Sequence, residues 1–229
     1  MPAPMSPVAG ASRLVAGTAA FAALLFVAAG TAAWPAAWAL LATIAAVMAV
    51  YAAIIVRLHP ELIEERRRPP ADAKPWDKPF IVVVGMVGPV LLFLASGLDH
   101  RFGWSAPAPP WAQVAGLLAV AGGGMLTNWA VAANRFFSAV VRIQRDRGHQ
   151  VIEGGPYRYL RHPAYAGSMI YMLGMTFALG SRVALPAAVV LCLVLAVRTA
   201  LEDRTLQAEL DGYADYARRV RFRLVPGVW

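Results

Sequence analysis

Cysteine is almost missing from this chain. Cys192 stands alone among 229 residues, which excludes an intrachain disulfide and a multi-cysteine metal centre. Lying inside an apolar run, it reads as a small buried hydrophobe. Histidine is nearly as sparse, with four scattered residues and no spacing such as HExxH, so no metal is expected. No nucleophile elbow frames a serine, which removes the Ser-His-Asp hydrolases. Charge is scarce too: Asp, Glu, Lys and Arg make up 15% of the chain and apolar side chains 59%, where a soluble domain carries about 25% charge. A soluble domain is therefore excluded, and an all-α, polytopic membrane helical bundle is expected. Its apolar runs carry no scattered acidic residues and no matched interruptions, so nothing argues for a proton relay or a transporter midplane.

What is present is six apolar runs, at residues 14–33, 38–56, 80–98, 111–133, 164–180 and 183–201. A spanning helix needs about 20 residues, so about six transmembrane helices are expected. We read the first as a retained helix rather than a cleaved signal peptide, because its apolar core is long and a second run follows at once. Residues 1–13, rich in Pro and Ala, are expected to be disordered. Trp34-Pro35 reads as a turn with an interfacial aromatic, and Trp104 and Trp111 as headgroup-depth anchors. Gly122-Gly123-Gly124 lacks the Lys-Ser/Thr of a phosphate loop and falls inside a run, so close helix packing explains it better. Thr127 and Asn128 read as interhelical hydrogen bonders.

The formal net charge of +8 follows from topology. Of the 21 Lys and Arg, only Arg101 and Arg182 fall on one side of the runs; the rest lie in the N-terminal segment, loops 57–79 and 134–163, and the end from Arg198 onward. The positive-inside rule makes that side cytoplasmic, with both termini there, in the cell membrane if the source is prokaryotic. The charge is thus no nucleic-acid footprint. Two regions result: a scaffold of four runs over 1–133, and a region carrying the chemistry over 134–229, its site built from the 134–163 loop and the C-terminal tail.

Within the second region, residues 149–167 read HQVIEGGPYRYLRHPAYAG. Gly154-Gly155-Pro156 makes a tight turn where backbone can approach a ligand. Pro163 suits the first turn of a helix, so Arg161 and His162 precede a helix N-terminus, which favours an anionic group such as a carboxylate. Arg158 and Arg161 alone would read as a basic stop beside a membrane helix; the clustering of Gly, Pro, Tyr and His makes the segment a candidate site. Each Tyr reads equally as an interfacial anchor. One helical hairpin later, Arg198 and Glu202 share a helix face at i, i+4 and could pair. A carboxylate at a helix C-terminus opposes the dipole, and binding an ammonium or a ribose would account for it.

Gln144, His149-Gln150-Val151-Ile152, Gly155-Pro156-Tyr157, Arg161-His162-Pro163-Ala164-Tyr165-x-Gly167 and Arg198-x-x-x-Glu202-Asp203 together resemble the isoprenylcysteine carboxyl methyltransferase family, and are similar to the related membrane phospholipid N-methyltransferases. The likeness covers roughly the last 100 residues. It implies that Gln144, His149, Gln150, Val151, Ile152, Tyr157, His162, Pro163, Ala164, Tyr165 and Glu202 hold S-adenosyl-L-methionine. It also implies that Arg198 faces the methyl acceptor, with Arg161 as a second candidate catalytic residue. The second carboxylate, usually Glu in the family, is here Asp203, whose role stays open. A lipophilic or amphiphilic acceptor in the bilayer is implied, methylated on a carboxylate. Phospholipid N-methylation or small-thiol S-methylation is the alternative, with His149 or Glu202 as base; a non-catalytic transporter or assembly protein is the alternative outside enzymes.

Overall fold

The computed structural model describes residues 7–65 and 72–229. The N-terminal residues 1–6 and three arginines of the first basic loop, Arg66, Arg67 and Arg68, lie outside the described residues. Among those described, the elements are helical, with no strand.

Helix α1 (Pro7–Ala29) begins within the segment expected to be disordered. It turns at Gly30 into α2 (Pro35–Leu58), followed by the short α3 (Glu61–Glu65). A single rod covers Asp77–Phe102: α4 (Asp77–Val82), a π-helical turn at Val83–Val87, and α5 (Gly88–Phe102). The cause lies in the sequence, because Pro89 has no N–H to return to the preceding turn, and the Gly88 N–H bonds Val83 O in the wider π pattern. Helix α6 (Pro110–Ala133) leads into an irregular segment with 3₁₀ turns at Arg145–Arg147 and Gly155–Arg158. The antiparallel hairpin of α7 (Pro163–Leu179) and α8 (Leu185–Glu209) comes next, then α9 (Tyr213–Arg219). Proline opens α2, α6 and α7, where its missing N–H costs nothing, and left-handed glycines close α5 and α7 at Gly103 and Gly180.

Among the described residues, four helices are long and apolar enough to cross a membrane: Pro35–Leu58, Asp77–Phe102, Pro110–Ala133 and Leu185–Glu209. The other two expected runs form shorter apolar helix, Ala16–Ala29 within α1 and the 17-residue α7. Helix α7 is central and largely buried, so its surroundings are other helices.

Lipid tails are as apolar as leucine, so helices in a bilayer associate by close packing rather than by escape from water. Here α6 and α7 touch backbone to backbone. A Cβ on Gly123 would come 2.5 Å from Gly167 O, and one on Gly116 would collide with the Ala178 backbone. Gly124 admits Val47 of α2 in the same way, while Gly122 faces open space. Thr127 Oγ1 donates to Ala164 O at 3.2 Å and Asn128 Nδ2 to Val47 O at 3.0 Å, fastening α6 to both neighbours. Leu25, Leu40, Phe93, Val120 and Met175 fill the core where α1, α2, α5, α6 and α7 meet. Trp104 and Trp111 are exposed, as expected of anchors, but Trp34 is buried and stacks on His100 with ring centroids 3.9 Å apart. The aromatic of the Trp34-Pro35 turn thus packs on a helix end inside the protein.

Candidate active site

The irregular segment after α6, the start of α7, the end of α8 and α9 meet at one end of the bundle, where the loop before α4 also lies. They enclose a cavity of about 210 Å³. Of the residues singled out in the sequence, Gln144, His149, Gln150, Val151, Ile152, Tyr157, Arg161, His162, Ala164, Tyr165, Arg198 and Glu202 line it. Pro163 does not; it is buried as the first residue of α7.

Fixed contacts shape this wall. The hydroxyl of Tyr216 donates to Tyr157 O at 2.7 Å, and Asn134 Nδ2 donates to the Tyr157 hydroxyl at 3.2 Å. Burial pushes the Tyr157 phenol well above its usual range, so it is a neutral hydrogen-bonding group. Gly155 takes φ +58, and a Cβ there would meet Ala133 at 2.9 Å. Gly155 thus allows close approach of the turn to α6, while Gly154 beside it faces open space. Gln144 is buried with both ends of its amide committed, Nε2 to Phe136 O at 2.5 Å and Oε1 to Arg147 at 2.5 Å. Its side chain braces the loop. The Gln144 backbone N–H donates to His149 Nδ1 at 3.3 Å, which leaves the proton of the neutral ring on Nε2. Burial, together with the Arg142 and Arg147 charges, lowers the His149 pKa to about 4.

The two adjacent carboxylates of α8 point to different partners. Glu202 lines the cavity and accepts the Tyr165 hydroxyl at 2.6 Å. Asp203 is wholly buried and gathers the tail. Gln207 Nε2 donates to it at 2.8 Å, Tyr213 Oη at 3.1 Å and Arg223 Nε at 2.8 Å. His162 Nε2 lies 3.4 Å away and Arg161 Nε 3.1 Å, the latter as an ion-pair contact without hydrogen-bond alignment. Backbone bonds from Arg161 N to Phe222 O and His162 N to Arg223 O, each 3.0 Å, complete the seam. The carboxylate expected beside Arg161 and His162 is thus the protein's own Asp203. Arg161 and His162 line the cavity as well, and the contacts of Asp203 give it a structural role that one sequence position could not display.

Arg198 and Glu202 do not pair. Arg198 instead meets Asp77 of α4, Nε to Oδ1 at 2.7 Å and Nη2 to Oδ2 at 2.9 Å, while Nη2 also reaches Ala139 O at 3.0 Å. Its guanidinium carbon sits 5.2 Å from the Tyr165 ring centroid, a cation–π contact. Asp77, the partner of Arg198, was not singled out in the sequence. Its only local signal, an acidic residue opening an apolar run, is what a helix N-terminus favours anyway. Deeper in the bundle a second cavity, of about 560 Å³, is lined mainly by apolar side chains of α1, α2, the Asp77–Phe102 rod, α6 and α7, with Thr127, Asn128 and Ser168 among its polar groups. Ser168 reaches it one turn along α7 from Tyr165. No cluster of His, Cys, Asp and Glu able to hold a metal occurs among the described residues.

Comparison with known proteins agrees with this architecture. Residues 111–210 match the family model described as phospholipid methyltransferase. Protein-S-isoprenylcysteine O-methyltransferase B of Arabidopsis thaliana is 31% identical over 113 residues, covering 48% of this chain and 57% of that protein. The protein-S-isoprenylcysteine O-methyltransferase of Schizosaccharomyces pombe is 34% identical over 92 residues, 39% of each chain. The chain spans about half the length of these curated relatives. A solved structure, that of the eukaryotic intramembrane Ras methyltransferase isoprenylcysteine carboxyl methyltransferase, superposes with TM-score 0.57 at 20% identity, over 92% of this chain and 75% of that one. The chain therefore shares the fold of that solved membrane protein. The sequence likeness to methyltransferases is carried by part of the chain, residues 111–210 for the family model.

Proposed function

We propose that the chain is a multi-pass membrane methyltransferase that takes S-adenosyl-L-methionine from the cytoplasm and methylates the carboxylate of a lipophilic, prenylcysteine-like acceptor. The observation that carries this is the joint presence of Arg198 and Glu202 in one small cavity next to a larger apolar one. A cationic donor and an anionic, lipid-tailed acceptor need such neighbours. The donor, when bound, supplies an electrophilic methyl group. Glu202 fits its ammonium or ribose, Val151 and Ile152 fit apolar surface, and the His149 Nε2–H offers a neutral donor. Arg198 has both Nη1 protons free of protein partners among the described residues, and these orient the acceptor carboxylate by charge-assisted hydrogen bonds. The buried aromatic wall excludes water. The 560 Å³ cavity receives the apolar tail. The excess of Lys and Arg in loops 57–79 and 134–163 supports a cytoplasmic side there, with both termini on it.

A carboxylate acceptor is ionised at neutral pH and needs no base. Methylation of an amine or thiol does, and His149, with a pKa of about 4 and Nδ1 already accepting a bond, is a weak candidate. The test is calorimetric binding of S-adenosylhomocysteine to the purified protein in nanodiscs, followed by labelled methyl transfer to N-acetyl-S-prenylcysteine and to phosphatidylethanolamine. Saturable binding with label in a base-labile ester is expected. Label in the lipid amine would replace the carboxylate reading, and no binding by a folded sample would point to a non-catalytic protein.

A further inference from the structure

The residue that fixes Arg198 comes from the other half of the chain. Asp77 lies outside residues 111–210, the part that matches the family model, and 121 positions from Arg198. It is 0% exposed. Both its oxygens are used: Oδ1 accepts from Arg198 Nε at 2.7 Å, while Oδ2 accepts from Arg198 Nη2 at 2.9 Å and from Val141 N at 2.7 Å. The loop before α4 grips the same strand of chain again, since Lys74 N donates to Val141 O at 2.9 Å, and Lys74 Nζ binds Glu209 at the end of α8 at 2.6 Å. Asp77 therefore ties α4, the cavity wall at 139–141 and α8 into one joint, with the guanidinium at its centre.

From this we infer that Asp77 is a positioning residue for methyl transfer: it commits the Nε and Nη2 edge of Arg198 and leaves Nη1 as the edge presented to the acceptor. A planar guanidinium held bidentately on one edge and at Ala139 O on the next cannot swing. Tyr165 packed on its face and Glu202 beyond, bonded to the Tyr165 hydroxyl, are the other groups around it. Without the Asp77 charge, Arg198 would be free to turn toward Glu202, one helical turn away on α8, and to withdraw both groups from their ligands. The inference rests on the methyltransferase reading above, and its acceptor contact is monodentate through Nη1, a narrower statement than acceptor binding by Arg198 alone.

The experiment compares wild type, Asp77→Asn and Asp77→Glu in nanodiscs by three readouts: S-adenosylhomocysteine affinity, steady-state kinetics with N-acetyl-S-prenylcysteine, and the ¹⁵N arginine Nε–H resonance assigned through Arg198→Lys. We expect Asp77→Asn to lose the exchange-protected Nε–H signal and to lower kcat by about 10²-fold, since an ångström of misplacement has that effect, with donor affinity unchanged. Asp77→Glu should recover the signal and part of kcat. If Asp77→Asn does not fold, Asp77→Glu alone carries the test, with an intermediate kcat at unchanged donor affinity. Wild-type kcat in the folded variant, or a loss of donor affinity matching the loss of kcat, would overturn the inference. A wild-type protein that shows the protected Nε–H but transfers no methyl group would instead overturn the functional reading while leaving the ion pair in place.

Discussion

Replacing Asp203 by Asn keeps the side chain's size and removes its charge. In the native protein that charge is buried and faced by Arg161 and Arg223. Removing one partner of a buried ion pair costs about 3–5 kcal/mol, because the other charge is left uncompensated. Arg223 is 27% exposed and can turn to water, whereas Arg161 at 7% cannot, so the lower end applies: about 3 kcal/mol, or roughly 10²-fold in the equilibrium between docked and undocked tail. The amides of Arg161 and His162, bonded to Phe222 O and Arg223 O, report that equilibrium directly by hydrogen exchange. Asp203→Asn should speed their exchange by about that factor and lower the thermal midpoint. Unchanged exchange at both amides, with unchanged melting, would refute the assignment of Asp203 as the charge that holds the tail.

Three more outcomes follow from the geometry. Glu202→Ala, which removes the cavity carboxylate, should weaken S-adenosylhomocysteine binding by about tenfold or more in calorimetry, the worth of one charge-assisted hydrogen bond, and wild-type affinity would dismiss Glu202 as a donor ligand. Gly123→Ala places a methyl group 2.5 Å from Gly167 O, and the forced separation of α6 and α7 should destabilise by about 1–3 kcal/mol in denaturant melts. Because the folded-state pKa of His149 is depressed to about 4, below an unfolded value of about 6.5, protonation favours the unfolded chain. His149 should thus weaken stability as pH falls from about 6.5 toward 4 and leave it flat above, while turnover should show no inflection near 6.5; such an inflection in kcat would revive His149 as a base.

Much of this was legible in the sequence, and unevenly so. Apolar run length marks helices because a bilayer imposes it, and all six runs became helix. The segment was legible from its cluster of Gly, Pro, Tyr and His beside apolar runs, and the single cavity-lining residues through the resemblance to a known family. What escaped were pairings across the fold. Arg198 with Glu202 satisfied the local i, i+4 rule, but local spacing cannot show that Asp77, 121 residues away, competes better through two aligned bonds. Asp203 was opaque for a similar reason, since its partners Arg161, Tyr213 and Arg223 converge only after the tail folds back. At Gly154-Gly155-Pro156 the sequence signalled close approach without saying of what, and for Gly155 the neighbour is Ala133 of α6.

The π turn at Val83–Val87 gives the Asp77–Phe102 rod one residue more than a regular helix of its length would hold. Each residue of α-helix turns the chain by about 100°. Wound as α throughout, the rod would carry Asp77 about that far around its axis and away from Arg198, with Gly88 still wedged against Leu191. Shortening the turn by one residue would restore regular winding with both ends in register, whereas lengthening it would strand the carboxylate on the wrong side. Lineages of this protein should accordingly tolerate a deletion there more readily than an insertion, and turnover of the two single-residue variants would reveal the asymmetry. The rod behaves as a ratchet with one spare tooth, set between the bundle interior and the charge at its tip.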